Sequence, residues 1–382
     1  MLAAYTTLKI GGAARYFGAV TTAAELVEGL AFAERLGLPV FVLGGGSNLV
    51  IADEGFEGVV LRVALTPKIT QTDDGDYVRL DVSAGTDWDA LVRYACERGL
   101  CGMECMAGIP GLTGGTPVQN VGAYGQEVAQ TIEQVWAYDT WSHDTWAHDT
   151  GPHDTGPHDT GPHDTGPHST GPQNTGARGP VCLSAEECGF SYRHSVFNST
   201  LKGRYIVTAV RFKLDRRTQP NLAYADLAGL HGTGASAMDV YTAVRAIRAA
   251  KGMLVDPERL GADARSAGSF FKNPVVTEKA AKGVAEGLGI SLAEMPHWPA
   301  AAGSVKLSAA WLIDQAGFKK GFALGRVGIS SRHTLALINR TGDATCEELL
   351  RLKDLIVMTV EDRFRVGLEQ EPVFLGSQVS GG

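Results

Sequence analysis

Two glycine-rich stretches hold the residues best placed for ligand chemistry. Leu43-Gly44-Gly45-Gly46-Ser47-Asn48-Leu49-Val50 follows the apolar run Pro39-Val40-Phe41-Val42. A strand running into Gly-Gly-Gly-Ser-Asn turns bare backbone N–H groups into one concavity. The Ser and Asn side chains add donors, so the stretch reads as a phosphate cradle. It matches neither G-x-G-x-x-G nor G-x-x-x-x-G-K-[ST], and Rossmann and P-loop logic do not apply. The second stretch runs from Gly102 to Gly125, with Glu104 its only carboxylate. Gly and Pro break it too often for a long helix or a plain core strand. Either it is a set of tight turns, or its glycines let backbone approach a ligand closely.

Further candidates are scattered. Cys188 to Phe197 sets Tyr192 and Arg193 among aromatic and apolar residues. Burying that Arg requires an anion, which a structural carboxylate or a ligand would supply. In Ser266-Ala267-Gly268-Ser269-Phe270-Phe271-Lys272-Asn273-Pro274 the two Phe make an apolar floor. Ser269 and Asn273 are the small polar groups left to point elsewhere; a simple turn hydroxyl is the other reading. No G-x-S-x-G and no triad order accompany this serine, which argues against a hydrolase. Taken alone, Lys251 reads as a solvated helix-end lysine, Tyr224 as a packing aromatic and Glu371 as a solvated tail charge.

The elements that would position these groups follow from pattern. A short strand and Gly turn are expected at Thr7–Gly12, and a helix over Ala23–Leu36 stopped by Gly37. Strands are expected at Val40–Leu43, Gly58–Val63 and Val78–Gly85. A helix over Asp87–Arg98 takes Thr86 as N-cap and Gly99 as its stop. Ile132–Tyr138 and Pro180–Ser184 read as a hairpin, and Tyr205–Leu214 as a further strand. Ala237–Ala250 is amphipathic with Ser236 as N-cap. Val305–Gly317 reads as a helix, Thr334–Asn339 as a strand and Cys346–Phe364 as a long helix. Between the hairpin strands, Trp141 to Thr175 repeats a five-residue unit that drifts from Trp-Ser-His-Asp-Thr to Gly-Pro-Gln-Asn-Thr. Gly-Pro pairs prevent helix and sheet, and nothing in the unit builds a core. Its histidines, His143, His148, His153, His158, His163 and His168, could hold a transition metal. A solvated loop grown at a tolerant hairpin tip is the favoured reading, so no metal site is expected.

Composition sets the bounds. A chain of 382 residues, 44% hydrophobic and 20% charged, has room for two or three domains and a large core. The net charge of −8 argues against a nucleic-acid groove or an anionic membrane surface. No apolar run is long enough to span a bilayer, and the first residues lack signal-peptide features, so a cytoplasmic location is expected. Six cysteines without C-x-x-C spacing read as reduced thiols.

The strings LGGGSNLVIADEGFEGVVLR and AGIPGLTGGTPVQNVGAYG carry a family resemblance. They are similar to the UDP-N-acetylenolpyruvoylglucosamine reductases (MurB), flavoenzymes of bacterial cell-wall precursor synthesis. The resemblance runs from about Thr7 to Gly376, apart from the repeat, where the family has a short turn. It implies an α+β fold. A two-lobed FAD-binding domain of the PCMH/vanillyl-alcohol-oxidase type (1–64 and 65–214, with the insert at 141–175) precedes a C-terminal substrate-binding domain (215–382). The tail of that domain returns to the active site.

For the cofactor, the resemblance gives Gly44, Gly45, Gly46, Ser47 and Asn48 the FAD pyrophosphate. It gives Gly108, Ile109, Pro110, Gly111, Gly114, Gly115, Gln119, Asn120, Gly122, Ala123 and Tyr124 the wall along the isoalloxazine ring and ribityl chain. For the substrate it implies Tyr192, a lid at Tyr224, a diphosphate contact at Lys251, and contacts at Asn273 and Gln315. Arg193 matches the Arg of a Tyr-Arg-x-Ser motif that meets the substrate carboxylate. Ser269 matches the proton donor and Glu371 the catalytic glutamate.

The implied reaction is reduction of enolpyruvyl-UDP-N-acetylglucosamine to UDP-N-acetylmuramate, with NADPH as hydride donor. Neither Gly44–Asn48 nor Gly108–Gly125 holds a His or Cys that could attack the ring, so the FAD is expected to be non-covalent. A monomer acting on a small-molecule UDP-sugar is expected, with no nucleic-acid or membrane partner. Two rivals are a small alcohol or sugar oxidase on a related fold, and a non-catalytic nucleotide-sugar or metal-binding protein.

Overall fold

The computed structural model describes residues 1–141, 178–255 and 261–376. The repeat and its histidines lie outside the described residues.

The first lobe is a parallel sheet with one crossover helix. Strands β1 (Ala14–Val20), β2 (Val40–Leu43) and β4 (Phe56–Val63) lie in the order β1-β4-β2, and β3 (Leu49–Ile51) stands apart. Helix α1 (Ala23–Arg35) begins where Thr22 accepts from the Glu25 N–H, and Gly37 follows it with φ 60. Leu26 and Ala33 bury its inner face against Val59, Leu61 and Val63.

The second lobe is antiparallel. Strands β5 (Ile69–Asp74) and β6 (Tyr77–Ser83) come first, then helix α2 (Trp88–Cys96) and the two-residue strands β7 (Gly122–Ala123) and β8 (Gln126–Glu127). Strands β9 (Ile132–Asp139), β10 (Gly179–Ser184) and β11 (Tyr205–Asp215) complete a sheet of order β10-β9-β11-β6-β5. Alternation sends Val78, Leu80 and Val82 inward against Trp88, Leu91, Val92 and Ala95. Helix α3 (Ala237–Ala250), with Ser236 as its cap, lies beyond residue 214 yet buries Ala237, Val240, Tyr241 and Val244 in this same core.

Among the described residues, the C-terminal part has two three-stranded antiparallel sheets and three α-helices. They are β12 (Val275–Thr277), α4 (Glu278–Gly287), β13 (His297–Pro299), β14 (Ser304–Leu307), α5 (Ala309–Gln315), β15 (Ala323–Leu324), β16 (Val327–Ile329), β17 (Leu337–Asn339) and α6 (Cys346–Phe364). Helix α6 presents Leu349, Leu352, Ile356, Val360 and Phe364 to a core that contains Phe270, Phe271 and Leu312. The tail strand β18 (Val373–Leu375) then crosses back and pairs in parallel with β3.

Three expectations need correction. Thr7–Gly12 is not a strand. Leu8 and Ile10 are buried, but Lys9 between them has φ 57, which no strand accommodates. The cap of α2 is Asp87, which accepts from the Ala90 N–H, rather than Thr86. The expected helix over Val305–Gly317 is strand β14 followed by α5, with Ser308 as the cap. Strand β14 pairs on both edges, with β12 and β13, and that pairing overrides the local helical preference. The cysteines are free thiols, all buried except the partly exposed Cys182.

Candidate active site

Both glycine stretches meet in one cavity of about 1870 Å³. That is well above the roughly 300–1,000 Å³ of a drug-sized ligand site, and leaves room for more than one large ligand. Its walls come from both lobes, from α3, and from the C-terminal part, including the tail.

The two loops touch backbone to backbone. A Cβ on Gly45 would lie 2.5 Å from Gly111 Cα. At Gly44 and Gly115 a Cβ would meet nothing within 4 Å, and both residues line the cavity. Asn48 Nδ2 donates to Gln119 Oε1 at 2.6 Å and to the Glu371 carbonyl at 3.3 Å, and Gln119 Nε2 reaches the same carbonyl at 3.3 Å. Loop, loop and tail are thus tied at one point.

Arg193 and Glu371 face each other there. Arg193 Nε lies 2.8 Å from Glu371 Oε1, and Nη2 donates to the Gly122 carbonyl at 3.0 Å. Burial pushes the Glu371 carboxyl up from its ordinary value, against the opposing pull of Arg193 and Lys272. Ser269 also lines the cavity. It is held between Gly268, at φ 75, and the fully buried Phe270. Among the described residues its hydroxyl makes no hydrogen bond, which leaves it open to a ligand. Backbone strain gathers here: Tyr124 and Arg193 on the wall have φ 48 and 55 and Asn120 behind it has φ 45, three of the five non-glycine residues with positive φ among the described residues.

Beyond this cluster, Tyr224 and Tyr124 meet edge to face with centroids 5.0 Å apart. Lys251 pairs with Asp226 and stands over both rings, and all three of Tyr124, Tyr224 and Lys251 line the cavity. Two lining residues were not singled out from the sequence. Arg248 is 7% exposed, and its Nε and Nη2 donate to the carbonyls of Gly108 and Met253. It continues the buried stripe of α3 three residues before Lys251, and a charge on that stripe was the available signal. His333 accepts the Leu335 N–H at Nδ1. Burial brings its imidazole down to about 4, helped by Lys251, Lys320 and Arg248.

Five expected residues stand outside the lining. Gly108 gives its N–H to Asp89 and its carbonyl to Arg248. Asn120 is buried and bridges Glu127, the Ser191 carbonyl and the Ala129 N–H. Tyr192 is 39% exposed, with Lys306 over its ring. Asn273 accepts the Ala309 N–H at the start of α5, and Gln315 lies in the last turn of that helix. The other expected residues, from Gly44–Asn48 through Ile109, Pro110, Gly111, Gly114, Gly115, Gln119, Gly122, Ala123 and Tyr124 to the catalytic trio, are brought together around the cavity.

Comparison with known proteins places this architecture. Residues 14–140 match the FAD binding domain model, and residues 259–375 match the model for the UDP-N-acetylenolpyruvoylglucosamine reductase C-terminal domain. The UDP-N-acetylenolpyruvoylglucosamine reductase of Thermobifida fusca is 41% identical over 98% of this chain and 96% of its own. The chain belongs to the UDP-N-acetylenolpyruvoylglucosamine reductase family. The reductase of Streptomyces coelicolor is 42% identical over 98% of this chain and 89% of its own. The crystal structure of MurB from Thermus caldophilus superposes with a TM-score of 0.59 at 28% identity, covering 98% of this chain and 97% of that one.

The α+β architecture with an FAD-binding domain is therefore the one expected. The cavity suits that cofactor: open glycine backbone at Gly44 and Gly115 can approach phosphates and a flat ring, and Ser47 and Asn48 supply polar groups. Among the described residues no His, Cys, Asp and Glu group could hold a metal, and no helix is long and apolar enough to cross a membrane.

Proposed function

We propose that the protein reduces enolpyruvyl-UDP-N-acetylglucosamine to UDP-N-acetylmuramate with NADPH, as a monomer in the cytoplasm. The observation that carries this reading is the convergence of Arg193, Glu371 and Ser269 at the junction of the two glycine loops.

The loops at Gly44–Asn48 and Ile109–Tyr124 would hold FAD non-covalently, and when bound it would supply hydride transfer from NADPH to the enolpyruvyl methylene carbon. The protein's own groups do the rest. Arg193, already half-committed to backbone carbonyls, offers its guanidinium to the substrate carboxylate. Hydride addition drives negative charge toward that carboxylate. Arg193 meets the charge directly. Glu371, beside Arg193 and pushed by burial toward its neutral form, adds a hydrogen-bonding group to the same charge. Ser269, whose hydroxyl makes no hydrogen bond among the described residues, protonates the adjacent carbon. A serine is a weak acid, but a carbanion beside a carboxylate is a stronger base than an alkoxide. Lys251, Arg248 and His333 gather at one region of the wall, and the two cations suit the substrate diphosphate. Tyr224 covers the ligand from the side of its exposed edge.

Ser269→Ala tests the assignment. NADPH should still bleach the flavin at close to the wild-type rate, because no carbon is protonated in that step. Reoxidation by substrate should slow by roughly 10²–10⁴-fold, the usual cost of losing a positioned general acid. Ser269→Cys should regain part of it. Stopped-flow traces read both steps; equal slowing of both would make the serine structural, and slowing of neither would move the proton to another group.

A further inference from the structure

Glu104 takes no part in the chemistry above, yet it is fully buried with no cation paired to it among the described residues. Three N–H donors converge on it from three separate segments. The Gly102 N–H reaches Oε2 at 2.6 Å, while Gln126 Nε2 and the Asn221 N–H reach Oε1 at 2.8 and 2.9 Å. The orientation of Gln126 is fixed, because its oxygen takes the Cys105 N–H at 2.8 Å. Glu104 therefore acts purely as an acceptor, and each oxygen is used.

Asn221 is tied on every side at this point. Its carbonyl accepts from Cys105 Sγ at 3.2 Å, its Nδ2 donates to the Gly125 carbonyl at 3.2 Å, and its Oδ1 accepts the Ala223 N–H at 3.0 Å. Three residues on is Tyr224. Gly125 directly follows Tyr124, and Gln126 opens β8, so the same knot fixes the turn that carries Tyr124. The two rings meet edge to face over the cavity, under Lys251.

We propose that Glu104 is the positioning residue that sets Tyr224 against Tyr124, and so fixes the closure of the cavity over the UDP-sugar. The inference rests on the proposed function, since it assigns Tyr224 to the substrate. Its physics is an accounting of acceptors. A Gln at this position has one acceptor and turns two donors toward three donors, so at least one buried N–H is left unpaired. Gln126 is buried and Gly102 lies between the buried Cys101 and Met103, whereas the Asn221–Tyr224 segment runs out to the surface, with Tyr224 40% exposed. The segment that gives way is the one carrying Tyr224.

The test compares wild-type holoenzyme with Glu104→Gln. Glu104→Gln should retain FAD and be bleached by NADPH within about two-fold of the wild-type rate. Its KM for the UDP-sugar should rise roughly ten-fold, the scale of one lost buried hydrogen bond. Hydrogen exchange of the Asn221 amide should accelerate by a similar factor, independently of activity.

An unchanged KM and unchanged Asn221 exchange in Glu104→Gln would overturn the inference. So would equal slowing of flavin reduction and reoxidation. Wild-type protein whose reduced flavin the UDP-sugar fails to reoxidise would instead overturn the proposed function, and this inference with it.

Discussion

Burial sets the working state of individual side chains around the cavity, in opposite directions for acids and bases. It raises the Glu371 carboxyl and lowers the His333 imidazole, so both are pushed toward their neutral forms. For His333 the consequence is measurable in stability. In the unfolded chain the imidazole takes a proton as pH falls through its ordinary 6.5; in the folded protein it does so only near 4. Between those values the unfolded state binds more protons, so stability is lost as pH falls through that window. The full loss is on the order of 3 kcal/mol. His333→Gln carries no such term. The unfolding midpoint of the variant should therefore gain on wild type as pH is lowered from 7 to 4.5, and no relative gain would show that the imidazole stays hydrated. Neither this residue nor Arg248 was singled out from the sequence, because each acquires its setting from distant elements: α3 runs under Gly108, and the Ser330–His333 turn is held by Asp263. Ser269, Arg193 and Glu371 were legible only through motif resemblance. Their local sequences permit a turn hydroxyl, a structural ion pair and a solvated tail, and only the fold brings the three together.

Elements whose signals are local were legible, and those decided by pairing were not. Helix α3 runs over the span that its Ser236 cap and apolar spacing predicted, and α6 does the same with the Thr345–Glu348 capping box at its start. Strand β14 was missed because it is made a strand by its neighbours on both edges. The glycine loops sit between these cases: their density announced close approach, but not to what. The structure separates two kinds of glycine. Gly45 is packed against Gly111, where an added Cβ meets backbone at 2.5 Å that no side-chain rotation relieves. Gly44 and Gly115 face open cavity. Gly45→Ala should therefore part the two loops, lowering both the thermal midpoint of the apoprotein and its affinity for FAD. Gly44→Ala and Gly115→Ala should leave the apoprotein within about 0.5 kcal/mol of wild type. They should still weaken FAD binding, because the new methyl group occupies space the cofactor needs. Flavin titration of apoprotein with thermal melts in parallel reads both quantities. FAD bound as tightly by Gly44→Ala as by wild type would mean that this backbone does not approach the cofactor.

At the scale of the whole molecule, the chain end closes what the chain start opened. After α6 the tail runs beside Phe270 and Phe271, passes Glu371 into the cavity, and adds β18 to β3 of the first lobe. Leu375 completes the small core of Leu2, Leu43, Leu49, Ile51 and Val60. The Glu371 carbonyl is the shared acceptor of Asn48 and Gln119, while its carboxylate meets Arg193. One short segment thus serves a lobe core, a loop junction and the reacting region, and these roles can be pulled apart. A chain ending at Glu369 loses all three. Its C-terminal core loses only the partly buried Phe374 and keeps its buried residues, so it should still fold. The buried Leu375 alone is worth about 2–4 kcal/mol, so the thermal midpoint should fall by at least several degrees. The loosened Asn48–Gln119 junction should cost FAD at least roughly ten-fold in affinity, on the scale of one lost buried hydrogen bond. Glu371→Gln keeps the backbone, the strand and the carbonyl. It should hold FAD as wild type does and be bleached by NADPH normally. Glutamine imitates the neutral acid toward which burial pushes Glu371, so reoxidation should keep a substantial part of its rate. Flavin retention, melting and stopped-flow reoxidation would decide the matter. A truncated chain that holds FAD as tightly as wild type would show that the tail is no part of the cofactor wall. A Glu371→Gln variant that loses FAD as fully as the truncation would assign the effect to the carboxylate instead of the strand.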